Sequence, residues 1–243
     1  MTRLLFLVLS TCALAAHAGP LPSAPEAAPY VQVQGMTAVG SWRQMPGRAR
    51  DVTDGWVIGT KPQKGGYGIY RWNGRDWAKV QGGAVAIGGT KENPWVVNNR
   101  NQIYRWNGAG WSRIPGEATD VAEGWIISTD IEPGGYGIYR YQNGKWNKIP
   151  GGAVRIGGNY DAPWIADDTG KIYKWTGFGW DQVRGEARDV ADGWIVSTNK
   201  VAGGYGIYRW SGISWEQSPG GAVAIGGKAD DPWVVNEQGR IYR

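Results

Sequence analysis

Apolar and polar positions alternate along this chain in runs of strand length, and a glycine-bearing turn closes each run. In Gln102-Ile103-Tyr104-Arg105-Trp106-Asn107-Gly108-Ala109-Gly110-Trp111 the pattern reads as a strand, a tight Asn-Gly turn and the start of a second strand. Related hairpins begin at Gly68, Gly137, Lys171 and Gly206, and lead through Ile-Tyr and a glycine turn to Trp77, Trp146, Trp180 and Trp215. The chain ends on a truncated copy, Arg240-Ile241-Tyr242-Arg243. After residue 19 no window carries the period of an amphipathic helix, so the expected class is all-β.

Trp42, Trp77, Trp111, Trp146, Trp180 and Trp215 open the copies, at spacings of 35, 34, 35, 34 and 35 residues. The alternation marks two kinds of copy. In the odd kind Ala49 to Trp56 is seven residues and Trp56 to Tyr70 fourteen; in the even kind Ala84 to Trp95 is eleven and Trp95 to Tyr104 nine. The chain therefore holds three tandem double repeats of 69 residues. Each copy offers four short strands, for example 84–88, 95–97, 103–106 and 111–114. Such units cannot bury their faces alone, which predicts a six-bladed β-propeller of four-stranded blades over residues 42–243. A linear β solenoid is the other arrangement such repeats allow. The last copy stops after its third strand and the first begins at its fourth. The N-terminal strand is thus expected to close the sixth blade, which removes exposed edges. Small residues at Ala84, Ala86 and Gly88 suit a crowded central channel.

All sixteen tryptophans fall at repeat positions, where large flat rings pack one blade on the next. Arg71, Arg105, Arg140, Lys174, Arg209 and Arg243 follow the Ile-Tyr pairs and are expected to lay their stems over neighbouring aromatics.

The first residues change the chemistry available. Arg3, the apolar run Leu4 to Ala16 and the small residues Ala16 and Ala18 form a signal peptide over 1–18, with cleavage expected after Ala18. An acylation site at Leu9-Ser10-Thr11-Cys12 is the other reading, which Thr11 fits poorly. Cleavage removes the only cysteine, Cys12, and the only histidine, His17. A thiol nucleophile, a disulfide, a histidine base and a Cys/His zinc site are then excluded. Residues 19–41 read as a Pro/Ala-rich linker and lead-in. The expected location is secreted, extracellular or periplasmic. Glycine, at 40 of 243 residues, exceeds twice its usual share without a collagen period, consistent with many hairpins. The net charge of +5 is spread through the repeats, so no nucleic-acid stripe is expected, and the apolar N-terminal run is too short for a membrane span.

The even copies carry Gly-Gly-Ala-Val-x-Ile-Gly-Gly, led by Pro in two of the three, then Pro-Trp, then Ile-Tyr-Arg/Lys, as in Pro150-Gly151-Gly152-Ala153-Val154-Arg155-Ile156-Gly157-Gly158. This string resembles the tectonin repeat over Trp42 to Arg243. The resemblance implies a six-bladed lectin propeller whose partners are glycans, often lipopolysaccharide or O-methylated sugars. The odd copies depart from the repeat, with Asp-Val-x-Asp/Glu-Gly-Trp and a Gly-Gly-Tyr-Gly segment.

The even copies have their longer connections at 90–93, 159–162 and 228–231, and the odd copies at 60–66, 129–135 and 198–204. The odd connections differ in sequence but each ends in Gly-Gly-Tyr-Gly. Tyr67, Tyr136 and Tyr205, with Gly66, Gly135 and Gly204, are therefore the candidate carbohydrate-binding residues, because sugars stack their C–H faces on aromatic rings. A tyrosine folded back on its own blade is the competing arrangement. The next candidates are the even-copy loops with Glu92, Asp161 and Asp230. The pairs Asp51/Asp54, Asp120/Glu123 and Asp189/Asp192 read first as hairpin turns, and otherwise as calcium ligands. No metal and no cofactor are expected. A threefold set of similar pairs points to equal binding sites over one active site, so the expectation is a non-enzymatic, multivalent lectin. A protein-interaction scaffold and a carboxylate-only glycosidase are the rivals.

Overall fold

The computed structural model describes residues 41–243. The signal segment 1–18, with Cys12 and His17, and the linker up to residue 40 lie outside the described residues. The described chain is all-β: 21 strands in three seven-stranded antiparallel sheets. In the first sheet the order is Ala224–Lys228, Asp231–Val235, Arg240–Tyr242, Gln44–Thr53, Trp56–Gln63, Gly66–Trp72 and Trp77–Ala84. The other two are built alike around the long strands Trp111–Ala122 and Trp180–Val190.

Each long strand serves two sets of partners. Gln44 to Arg48 pairs with Arg240–Tyr242, and Ala49 to Thr53 pairs with the Trp56 strand. The register breaks between Met45 and Arg48, at Pro46-Gly47, where Gly47 has φ of 86°. Proline offers no ladder donor and glycine supplies the left-handed φ, so the strand bends there without ending. Pro115-Gly116 and Arg184-Gly185 bend the other long strands. At the alternate junctions the chain breaks instead, at Val85, Val154 and Val223. Ala84 accordingly ends the Trp77–Ala84 strand, and the next begins at Ala86, which divides the expected strand 84–88 in two.

The core lies in the seams between repeats. One cluster joins Trp56, Ile58, Ile69 and Ala84 to Ile87 and Val96 of the next repeat. Each opening tryptophan packs edge-on or tilted against a second-strand tryptophan of the preceding unit. Trp111 meets Trp56 with centroids 5.8 Å apart, Trp146 meets Trp95 at 6.1 Å, and Trp180 meets Trp125 at 5.9 Å. Trp215 meets Trp164, Trp77 meets Trp233 and Trp42 meets Trp194, each at 5.9 Å. The last of these pairs joins the start of the described chain to the last odd repeat. All six basic residues after Ile-Tyr lie over tryptophans, from Arg243 at 5.1 Å from the Trp233 centroid to Arg209 at 5.9 Å from that of Trp194.

The odd connections are not long loops. Pro62 pairs with Tyr67 and Gln63 with Gly66, so the chain turns on Lys64-Gly65 alone. Pro133-Gly134 and Ala202-Gly203 make the matching turns. A bulge between Ile58 and Pro62 takes up the extra residues that read as a loop in the sequence.

Candidate functional site

A groove of about 520 Å³ lies at the seam between the first odd and first even repeats. That volume lies within the usual range for small-molecule sites. One wall comes from the hairpin that turns on Lys64-Gly65, with Gln63 and Ile69, and from Gly82-Gly83 on the adjacent strand. The facing wall is the turn after Pro94–Val97, with Asn98, Asn99 and Arg100, followed by Gln102 and Tyr104. Trp111 completes it. Local chemistry fixes that turn. The Asn98 carboxamide oxygen accepts the backbone N–H groups of Arg100 (2.9 Å) and Gln102 (3.0 Å), and Asn101 takes φ of 59°, a conformation asparagine tolerates. The Asn99 N–H donates to the Gly65 carbonyl at 3.0 Å, which ties the two walls at the backbone.

Two features, taken together, separate this seam from its repeat equivalents. Trp42, Trp77, Trp146 and Trp215 each donate their indole N–H to a carbonyl of the preceding repeat: Pro219, Pro46, Pro115 and Arg184. The Trp111 indole nitrogen is buried and has no such acceptor; here the Gln63 side-chain amide donates to the neighbouring Gly82 carbonyl. Trp180 shares the missing bond, but its ring is almost wholly covered, as is Tyr173 beside it. In the open seam, the one that holds the groove, Tyr104 and Trp111 are half-buried; so are Tyr242 and Trp42 in the third seam, where the Trp42 indole bonds Pro219. The Tyr104 hydroxyl and the Asn98 amide both donate to the Gln102 side-chain oxygen, at 3.2 and 2.9 Å, so the Gln102 N–H donors stay available.

The second concavity is the central channel, about 30 Å³, room for a single water. Asp51, Asp120 and Asp189 border it. Each sits at the bulge that follows Ala49, Ala118 or Ala187 and accepts two backbone N–H bonds. Asp51 takes Val52 at 2.8 Å and Ile87 at 2.9 Å; Asp120 takes Val121 and Ile156; Asp189 takes Val190 and Ile225. The first acid of each pair thus stitches its own strand to the innermost strand of the next repeat. The second acid does something else. Asp54, Glu123 and Asp192 sit in the two-residue turns, where Asp54 accepts the Lys91 N–H at 3.0 Å and pairs with Lys228 at 3.1 Å. The pairs therefore do not act jointly. Among the described residues no group of three or more Asp, Glu, His or Cys is placed to hold a metal ion.

Burial, then repulsion from Asp120, pushes the Asp51 carboxyl from 3.8 up to about 7. Burial, then Asp51, pushes Asp189 to about 8, and burial raises Asp120 also. Arg155 is the cation among them, held charged chiefly by Asp120; the matching positions, 86 and 224, are alanines. A folded-state value above the unfolded one means that the folded chain holds extra protons between about pH 4 and 8. This cluster's contribution to stability is then complete below pH 4 and lost as pH rises through 7 to 8. The expected result is a melting temperature that falls between pH 5 and 9, with a shallower fall in a D51N/D189N variant. Equal slopes in the two proteins would contradict the assignment.

The sequence-predicted tyrosines lie in strands, half-buried against the seam clusters. Their surroundings differ. Arg50 covers the Tyr67 ring at 4.3 Å and Arg188 covers that of Tyr205 at 4.3 Å, whereas the position matching them beside Tyr136 is Thr119. Gly66, Gly135 and Gly204 fit their backbone, with φ of 133°, 132° and 142°, and a Cβ on any of them would lie 2.4 to 2.6 Å from a carbonyl oxygen of the adjacent strand. None of the six residues lines the groove, though Gly65, next to Gly66, does. Of the alternative loop residues, Asp161 stands 3.6 Å from Arg140, which also stacks on Tyr160 at 4.2 Å. Gln63, Lys64 and Arg100 escaped the sequence reading because they vary among the repeats. That variation was itself the available signal: Gln63, Glu132 and Val201 match one another, as do Arg100, Thr169 and Gln238.

Closed repetition of antiparallel strands around a narrow channel, with a concavity at a seam, defines a β-propeller. Among solved structures, YCF48 bound to D1 peptide is similar with a TM-score of 0.52 at 12% identity, covering 86% of this chain and 97% of that one. The WD40 β-propeller domain of Doa1 gives 0.47 at 12% identity, over 84% and 97%. YCF48 from Cyanidioschyzon merolae gives 0.43 at 14%, over 84% and 98%. No family model and no curated protein matches the chain. Among the described residues no helix is long and apolar enough to cross a membrane.

Proposed function

We propose that this chain is an exported, non-catalytic lectin of tectonin type, and that its glycan site is the seam groove. The blade count belongs to the same reading. Each long strand is the outermost strand of one unit over its first half and the innermost strand of the next over its second half. Counting it twice turns three sheets of seven into six blades of four, matching the six interblade tryptophan pairs.

The observation that carries the glycan reading is the groove itself. Amide side chains stand beside half-exposed Tyr104 and Trp111, the combination that meets a sugar's hydroxyls and its C–H face. The channel, with room for one water, leaves no space for a glycosidase substrate between its aspartates. Export follows from the signal segment, and N-terminal sequencing of secreted protein should begin at Gly19.

A glycan array on the intact protein is the primary test. Binding found there should fall about tenfold in Gln102→Ala, the cost of one or two lost hydrogen bonds, and should persist in Tyr136→Ala. An empty array alongside capture of a peptide ligand would replace the lectin reading with the scaffold. Turnover of a chromogenic glycoside, abolished by one Asp or Glu substitution, would replace it with an enzyme.

A further inference from the structure

The three related seams carry different charges. At positions 63, 64, 100 and 102 the open seam has Gln63, Lys64, Arg100 and Gln102. The second seam has Glu132, Pro133, Thr169 and Lys171 there, with Asp167 and Asp168 in the turn. The third has Val201, Ala202, Gln238 and Arg240, and its turn residue Glu237 is paired with Lys200 at 2.6 Å. Acidic side chains thus stand in the second and third seams and none lines the first. Neither Lys64 nor Arg100 has an ion-pair partner among the described residues, and both are exposed.

The open seam offers donors beside its two cations. The Tyr104 hydroxyl is spent on Gln102, whose own N–H groups stay available. Two cations and several donors, with no carboxylate, favour a ligand rich in acceptors and negatively charged. Arg100 offers a planar fork that suits a carboxylate or a related oxyanion, and Lys64 adds a point charge on the opposite wall. The backbone bond from Asn99 to Gly65 keeps those walls together, so the cations flank one opening.

We propose that the groove selects acidic sugars, holding the anionic group between Lys64 and Arg100, with one such site per chain. This rests on the glycan-binding reading above. Specificity comes from charge added to a surface that also accepts a neutral ring.

The test is titration calorimetry of the intact protein with a glucuronate-terminated disaccharide, its carboxyl-reduced neutral counterpart and a sulfated counterpart. The acidic sugars should bind about tenfold or more tightly than the neutral one, with a stoichiometry of one, because charge-assisted hydrogen bonds exceed neutral ones by roughly that factor. The preference should shrink between low and high salt. In Lys64→Gln/Arg100→Gln that preference should vanish, the acidic and neutral sugars then binding alike. A uronate preferred over the sulfate assigns the planar carboxylate; equal binding of both assigns oxyanions in general; either supports the proposal. Equal affinity for the neutral sugar, or three sites per chain, would overturn it and leave the lectin reading standing. Absence of binding by all three sugars together with an empty array would overturn both.

Discussion

Gly88→Ala is expected to destabilise the fold strongly. The backbone there needs no left-handed φ, so the reason is space alone. A Cβ on Gly88 would lie 1.9 Å from the Val121 carbonyl oxygen and 2.8 Å from its carbon, both backbone atoms that no rotamer change can move. Gly157 and Gly226 face the same obstruction, from the Val190 oxygen at 2.0 Å and the Val52 oxygen at 2.1 Å. In each case the innermost strand of an even repeat touches the backbone of the neighbouring long strand across the channel wall. That neighbour also bears the carboxylate bridge from Asp51, Asp120 or Asp189. Relief requires the two strands to separate, which would lengthen those bridges and loosen the seam. The expected loss is about 3 kcal/mol or more, above the usual cost of overpacking because backbone has to give way. Guanidinium unfolding followed by tryptophan fluorescence measures it. Gly110→Ala is the control, since that glycine has open space around it and no positive φ. A Gly88→Ala protein as stable as Gly110→Ala would show that the channel is not close-packed.

That crowding was legible in the sequence, as were the tryptophan seams and the cations over them, because each is repeated in every copy. What failed to show was anything set by register or by differences between copies. A bulge between Ile58 and Pro62 adds residues to a hairpin, and in the sequence these look like a loop that presents Tyr67. The register instead places Tyr67 in a strand, with Arg50 over its ring. Likewise Asp51 and Asp54 read as a pair because they are three residues apart, yet the bulge after Ala49 aims the first into the channel and leaves the second in the turn. The groove was least legible. Its walls come from residues some 35 positions apart, and its character lies in Gln63, Lys64 and Arg100, which the repeats do not share.

Removing the last four residues, 240–243, is expected to open the ring. Arg240–Tyr242 lies between the Asp231–Val235 strand and the first half of Gln44–Thr53, so its loss exposes two strand edges at once. Ile241, 1% exposed, leaves the cluster that holds Met45, Val57, Trp233 and Val235, a loss of about 2 to 5 kcal/mol for a buried isoleucine. The reciprocal backbone bonds between Arg43 and Arg243, at 2.8 and 3.0 Å, go with it. The Trp42–Trp194 contact then depends on a strand that has lost its partner on one side. For a chain of this size such a loss corresponds to a fall in melting temperature of roughly 5 to 20 °C, and unpaired edges promote aggregation. Arg243→Ala separates backbone from side chain: it removes the paired contacts to Asp231 at 2.6 and 2.7 Å and the stacking on Trp233 but keeps the strand. Because that ion pair is partly exposed, its loss should cost no more than about 1 kcal/mol. Light scattering and thermal melts compare the two proteins. A truncated chain that stays monomeric and melts as the full chain does would mean that the repeats do not need this pairing to form a stable ring, and the closure argument would fall.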